Sequence, residues 1–199
     1  MGVMRELPPP KPRAPLHTRQ VTCTGWARED GLWEVEARLS DIRAHDMDPA
    51  FIRGNAAMRP AGQPIHLMSL RIALDDSFTI VEAQAVSHQV PYGDCVDINA
   101  AYGQLVGLRI EAGFTQAVKT RFRGALGCTH LTELVGPLAT TALQSIRPEM
   151  ERRRYLSGQP PMDDGPKPLL LNSCYGLRRG GEPAVIRWGS AKAGLTQEA

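Results

Sequence analysis

The sequence predicts an α+β domain, a small and mainly antiparallel sheet of two hairpins followed by a helical C-terminal half. Three observations carry this. Residues 33–40 alternate apolar and polar with a period of two. The turn signals Asp30-Gly31 and Asp75-Asp76-Ser77 each separate two β-compatible runs. After Pro91 the apolar spacing changes to that of helices.

Residues 1–16 carry five prolines, which disfavour a helix and predict a flexible extended arm. RQVTCTGWARE, 19–29, is the first strand, and Asp30-Gly31 turns it back. In the return strand Trp33, Val35, Ala37 and Leu39 face one side, with Glu34, Glu36, Arg38 and Ser40 on the other. Asp41 then falls on the apolar parity. Residues 43–62, with Gly54, Pro60 and Gly62, read as a loop or flap with at most a short helical turn. In PIHLMSLRIALD the residues His66, Met68, Leu70, Ile72 and Leu74 share a face, and FTIVEAQAVSH returns after the second turn.

Residues 95–108 place apolar side chains at 95, 98, 102, 105 and 106, a helical spacing that Gly107 or Gly113 can end. A short helix follows at 114–122. The longest spans 128–147, with Leu131, Leu134, Val135, Leu138, Ala142 and Ile146 as its stripe and a kink or break expected near Val135-Gly136, before Pro137. Residues 148–168 look like a linker, with a solvated run Arg152-Arg153-Arg154. LLLNSCYGL and PAVIRW suggest a last hairpin or strap. The expected organisation is one domain over 17–188, with a flexible tail at 189–199.

The bulk numbers narrow the class. The chain has 199 residues, 42% hydrophobic and 22% charged, enough for a core without staples. Its 23 basic and 21 acidic residues leave a net +2, which predicts no nucleic acid and no anionic membrane surface as partner. No apolar run approaches the roughly 18 residues of a transmembrane helix. The proline-rich N-terminus lacks the apolar segment of a secretory signal, and Glu6 stands where myristoylation wants Ser or Thr. A cytoplasmic protein is expected, with Cys23, Cys95, Cys128 and Cys174 reduced.

The chemistry concentrates in GALGCTHLTEL, 124–134, which sets Cys128 and His130 two apart at the start of a helix. Free N–H groups and the helix dipole stabilise a thiolate there, so Cys128 is a candidate nucleophile or metal ligand. Cys95, in HQVPYGDC, occupies a similar strand-to-helix junction, near His88 and Asp94. Cysteine and histidine together suit zinc or an iron-sulfur cluster. Against this, no C-x-x-C pair is present, and a free cysteine often only packs. Cys23 and His66 read as core residues, Trp26 and Trp33 as packed beside the first turn, and His17 and His45 as solvent-exposed.

The ordered motifs R-x-V-T-C-x-G-W-x-R-E-D-G-L-W-E-V-E-A-x-L-x-D, G-x-P-I-H-L-M, V-P-Y-G-D-C and G-C-T-H-L-T-E-L, over about residues 15–188, resemble a bacterial domain-of-unknown-function family, DUF2889. The resemblance implies no reaction. It adds weight to Asp30, Trp33, Glu36, Asp41, His66, Cys95, Cys128, His130 and Cys174, the last within NSCYGL. With Cys174 folded back, Cys95, Cys128, His130 and Cys174 make a Cys₃His set of the structural-zinc kind. PYGDC and FRGALGC also resemble segments of NifU-type iron-sulfur scaffolds, although the order of Cys and Gly-Asp is reversed and the late His-Cys pair is missing.

Three functions follow as expectations. The first is a metal-binding protein holding zinc or an iron-sulfur cluster through Cys95, Cys128, His130 and Cys174. The second is a metal-free enzyme on a small organic substrate. Cys128 would be nucleophile or acid and His130 or His88 base, with Glu36, Asp41 and His66 as acid-base or orienting groups. At i and i+2 inside a regular helix Cys128 and His130 would diverge, so their pairing requires Cys128 just before the helix. The third is an accessory protein whose cysteines only pack. Substrate, protein partner and oligomeric state leave no mark in the sequence.

Overall fold

The computed structural model describes residues 7, 9–48, 58–162, 168 and 170–193. Four strands, β1 (His17–Ala27), β2 (Trp33–Arg43), β3 (Pro64–Leu74) and β4 (Ile80–Gln89), form one antiparallel sheet in the order β1-β2-β3-β4. A 3-10 segment, Gly93–Leu105, follows. Then come α1 (Phe114–Arg121), α2 (Thr129–Leu156) and α3 (Glu182–Lys192). This is the expected α+β order, strands first and helices after.

The alternation in β2 builds the core. Trp33, Val35, Ala37 and Leu39 are buried, and Met68, Leu70, Ile72 and Leu74 of β3 lie beside them. The expected stripe of α2 covers this face, with Leu131, Leu134, Val135, Leu138, Ala142 and Ile146 all buried. The 3-10 segment closes the β4 end with Tyr102 and Leu105, three residues apart as its period requires. The expected α-helix over 95–108 is therefore a 3-10 helix instead.

Three further expectations change. α2 runs unbroken through Pro137 and Pro148 to Leu156, so the first part of the linker-like stretch is helix. A packed apolar face outweighs the one hydrogen bond lost at each proline. PAVIRW forms no strand. It lies in α3, with non-helical backbone at Gly189. Trp26 is 57% exposed, whereas Trp33 is buried and donates through Nε1 to Asp76 Oδ1 at 2.8 Å. Of the presumed solvated arginines, Arg153 lies over the Trp33 ring, 4.6 Å from its centroid. Residues 1–6 and 8 of the arm, 194–199 of the tail and 49–57 of the flap lie outside the described residues.

Candidate metal centre

The site lies at the end of the sheet where β2 carries its one inward charge. Asp41 continues the inward parity of Leu39 and is 1% exposed. The register puts Arg19 of β1 opposite it on one side and His66 of β3 on the other. A bulge interrupts the β2–β3 ladder between Asp41 and Ile42. Bulges re-aim side chains in this way beside functional sites.

From the helical side, His130 enters on the first turn of α2. Cys128 is the N-cap residue, with extended backbone (φ −103°, ψ 130°). This is the placement that lets Cys128 and His130 turn the same way. Two contacts hold it. Gly127 lies so close to Phe122 that a Cβ there would come within 2.7 Å of the Phe122 Cβ. The buried Tyr102 ring stacks on Phe122 at 4.5 Å, and its hydroxyl accepts from Cys128 N–H at 3.0 Å and donates to Cys128 C=O at 2.8 Å. Thr132 Oγ1, 2.7 Å away, completes that hydroxyl's partners.

The two halves meet at Asp41. Its Oδ1 accepts from Arg19 Nε at 2.7 Å and faces His17 Nε2 at 3.0 Å. Its Oδ2 accepts from Arg19 Nη2 at 2.8 Å and faces His66 Nδ1 at 3.1 Å and His130 Nε2 at 3.4 Å. The rings of His66 and His130 stack, with centroids 3.8 Å apart and planes at 30°. Arg19 Nη1 reaches on to Glu133 of α2. His130 Nδ1 lies 3.9 Å from Cys128 Sγ.

Burial and charge decide the protonation states. Burial alone would raise the Asp41 carboxyl, but the Arg19 and His17 hydrogen bonds and the arginine's charge outweigh it and hold the group well below its usual range. Burial pushes His66 down to about 4, with neighbouring His130 adding to the effect and Asp41 opposing it. His130 is also lowered, by burial and then by the charge of Arg19. At neutral pH the centre therefore holds one carboxylate and two neutral imidazoles, each with a nitrogen lone pair to offer.

One ligand atom from each of Asp41, His66 and His130 lies within 4.8 Å of the others, and this group could hold a metal ion. Among the described residues the cysteines form no such cluster. Cys128 touches only the edge of the group, through His130. Cys95 is half-buried in the 3-10 segment and Cys174 is exposed in the turns before α3, so neither joins it. Glu36 has outward parity, opposite Arg71 and beside His88 in a shallow surface hollow, on the other side of the sheet from Asp41. Cys23 packs against the core, and Asp30 accepts from Arg28 and from Leu32 N–H in its turn.

Sequence reasoning missed Arg19, Glu133 and Tyr102. It also set His17 aside as solvent-exposed, and it placed His66 among the candidate acid-base groups although its position on the apolar face read as core. The legible signal was two polar residues, Asp41 and His66, each on the apolar parity of neighbouring strands.

The fold and the site define an α+β protein with a buried carboxylate-imidazole centre between sheet and helix. The chain belongs to the family described as Protein of unknown function (DUF2889), whose family model matches residues 17–144. That span contains Asp41, His66, Cys95, Cys128 and His130 and ends short of Cys174. No curated protein and no solved structure matches the chain. The likeness to NifU-type scaffolds is not supported, since such a scaffold needs clustered thiols and none cluster among the described residues. No helix among the described residues is long and apolar enough to cross a membrane.

Proposed function

We propose that the chain binds a divalent first-row transition metal through Asp41 Oδ2, His66 Nδ1 and His130 Nε2, in place of the cysteine-rich site its sequence suggested. The carrying observation is the convergence of three ligand atoms within 4.8 Å. For bonds of about 2.0–2.1 Å, tetrahedral zinc separates its ligand atoms by roughly 3.3 Å. Asp41 Oδ2 stands 3.1 Å from His66 Nδ1 and 3.4 Å from His130 Nε2, which brackets that spacing. Both imidazoles are held neutral, the form that binds metal. Arg19 Nε and His17 hold Asp41 Oδ1 while Arg19 Nη2 reaches Oδ2, and together they orient the carboxylate from outside the coordination sphere.

Two imidazoles and one carboxylate leave coordination positions open. Structural zinc sites are closed, whereas catalytic zinc and non-haem iron sites keep such positions for water or substrate. The reading is therefore metal-assisted chemistry on a small molecule, with the ion polarising an oxygen or activating a bound water.

A second reading has its own observation. Cys128 Sγ lies 3.9 Å from His130 Nδ1, and the other nitrogen of that ring faces Asp41. This thiol–imidazole–carboxylate order suits a metal-free nucleophile. Elemental analysis and zinc titration of protein purified without chelator separate the two. Stoichiometric metal that is lost in His66→Ala and His130→Ala but kept in Cys128→Ala supports the metal centre. No metal uptake, with rapid alkylation of Cys128 that slows in His130→Ala, overturns it in favour of thiol chemistry.

A further inference from the structure

We propose that two copies of this chain pair along their β1 edges, antiparallel about a two-fold axis at Thr22, into one continuous eight-stranded sheet. This goes beyond the metal reading and does not rest on it.

The backbone supplies the first argument. Arg28 N–H donates to Leu32 C=O at 2.9 Å, and Ala44 N–H donates to Leu16 C=O at 3.2 Å. Both pairs continue the β1–β2 register. Hydrogen-bonded pairs alternate along an antiparallel ladder, so the even-numbered residues of β1 bond to β2. The N–H and C=O groups of His17, Arg19, Val21, Cys23, Gly25 and Ala27 therefore point to the open edge, and no backbone group among the described residues meets them. The opposite edge, β4, is met by the chain itself. There Ile80 N–H donates to Leu108 C=O at 2.8 Å, and Gly107 N–H donates back to Ile80 C=O at 2.8 Å.

β1 lacks the devices that keep an exposed edge single. It spans 11 residues, its ladder with β2 carries no bulge, and from Gln20 to Ala27 it holds no charge and no proline. Its arginine is turned back over the sheet by Asp41 and Glu133. Trp26 stands 57% exposed on the outer face of this strand. Exposed aromatic side chains of this kind are enriched where proteins meet.

Two layers choose the occupant. An axis at Thr22 overlaps the whole strand. It sets Val21 opposite Cys23 of the second copy and Trp26 opposite Thr18, and it joins the open residues of one copy to the same residues of the other. α2 runs along β1, with Glu133 paired to Arg19, Thr141 bonded to Cys23 and Ser145 against Gly25, while its apolar stripe covers β2 and β3. With α2 over β1 and β2, strands about 4.8 Å apart place the two α2 axes about 10 Å from each other, the distance of packed helices. The flank that α2 turns toward its twin carries Pro137, Gln144 and Pro148, all exposed. The two prolines are separated by about three helical turns, so they share that flank. A strand from an unrelated protein would fill the edge and leave the flank bare, whereas a second copy covers both. The shared surface is roughly 35 Å long and about 20 Å deep through sheet and helix, so it buries roughly 1,400 Å² over the two copies, inside the range of stable interfaces.

The test is sedimentation velocity with light scattering on the full chain at micromolar concentrations. The expected mass is twice the 21.8 kDa of one chain. Val21→Pro removes an N–H that faces the open edge and none that faces β2, so it yields a monomer with an unchanged far-UV circular dichroism spectrum. Thr22→Cys reads the register. At an axis through this position the introduced thiols form a non-hydrogen-bonded pair with Cα atoms about 4.5 Å apart, within the reach of a disulfide. Thr24→Cys sets them about 14 Å apart along the edge. Both are made in a Cys174→Ser background, since Cys174 is exposed. Mild oxidation links Thr22→Cys into a covalent dimer and leaves Thr24→Cys single on a non-reducing gel.

A monomer at every concentration overturns the proposal. So does a dimer that survives a folded Val21→Pro, or one that cross-links through Thr24→Cys and not through Thr22→Cys, because either places the interface elsewhere. If Val21→Pro fails to fold, the cross-link decides alone.

Discussion

Asp41→Asn tests the centre most directly, because it changes charge at nearly constant volume. The carboxylate is 1% exposed and takes both arms of Arg19, at 2.7 and 2.8 Å, with His17 and His66 on its remaining lone pairs. Asparagine keeps one acceptor and turns an NH₂ group toward donors, so one guanidinium contact becomes donor against donor. Removing one member of a buried ion pair costs about 3–5 kcal/mol. Arg19 is 37% exposed, so water recovers part of that, and about 2–4 kcal/mol remains. In a domain of this size each kcal/mol moves Tm by about 2–4 °C, which places the drop near roughly 8 °C. Thermal and urea denaturation at neutral pH, with chelator present to remove any metal contribution, measure it. A double-mutant cycle with Arg19→Met then isolates the pair, with a coupling energy of about 1.5 kcal/mol or more. A Tm shift under about 2 °C, or a coupling near zero, would refute the view that Arg19 neutralises a buried Asp41.

The remaining perturbations probe how the centre is held. His66 sits at about 4 in the fold against an ordinary 6.5, so between those values the unfolded chain binds a proton that the folded chain does not. Stability is therefore highest above about pH 6.5 and declines toward pH 4, by at most roughly 3 kcal/mol at about 1.36 kcal/mol per pH unit. Asp41, held below its usual range, adds a loss only in stronger acid. Urea midpoints across this window should flatten in His66→Gln, and an unchanged slope would count against the assignment. Tyr102→Phe leaves Cys128 N–H and C=O without their shared hydroxyl and should cost about 2 kcal/mol by chemical denaturation. An effect below about 0.5 kcal/mol would mean that this hydroxyl does not hold the helix start. Gly25→Ala would bring a methyl within 2.9 Å of Ser145 Cβ and should cost about 1–3 kcal/mol, partly restored by Ser145→Gly. No rescue in the double variant would place the cost outside the β1–α2 contact.

Period and parity made the fold legible. The alternation from Trp33 to Leu39 and the stripe from Leu131 to Ile146 each named the residues they bury. The 3-10 segment was not legible, because apolar positions at 98, 102 and 105, spaced by four and then three, fit a period of 3.6 better than one of 3. α3 was not legible either, since PAVIRW is too short for its periodicity to separate strand from helix. At the site, the sequence pointed to Cys128 because local chemistry at a helix start is visible within a few residues. The ligand atoms that converge come instead from β2, β3 and α2, and nothing local joins Asp41 to His66 or His130.

What separated the two was register. A two-residue turn at Asp30-Gly31 would pair Glu29 with Leu32 and put Gln20 opposite Asp41. The loop instead runs from Arg28 to Leu32, closed by Arg28 N–H to Leu32 C=O at 2.9 Å, with Gly31 at φ 89°. That one-residue difference pairs Ala27 with Trp33 and carries Arg19, not Gln20, to Asp41. The same shift sets Cys23 and Gly25 opposite Ala37 and Val35, on the face that α2 covers, and so lets α2 approach β1 closely at Gly25. The loop that fixes the hairpin therefore also fixes the counter-ion of the buried carboxylate. A centre built this way depends on the geometry of a loop whose ends, Arg28 and Leu32, lie about nine residues from Arg19 and Asp41 along their strands, and no pattern within a single strand encodes it.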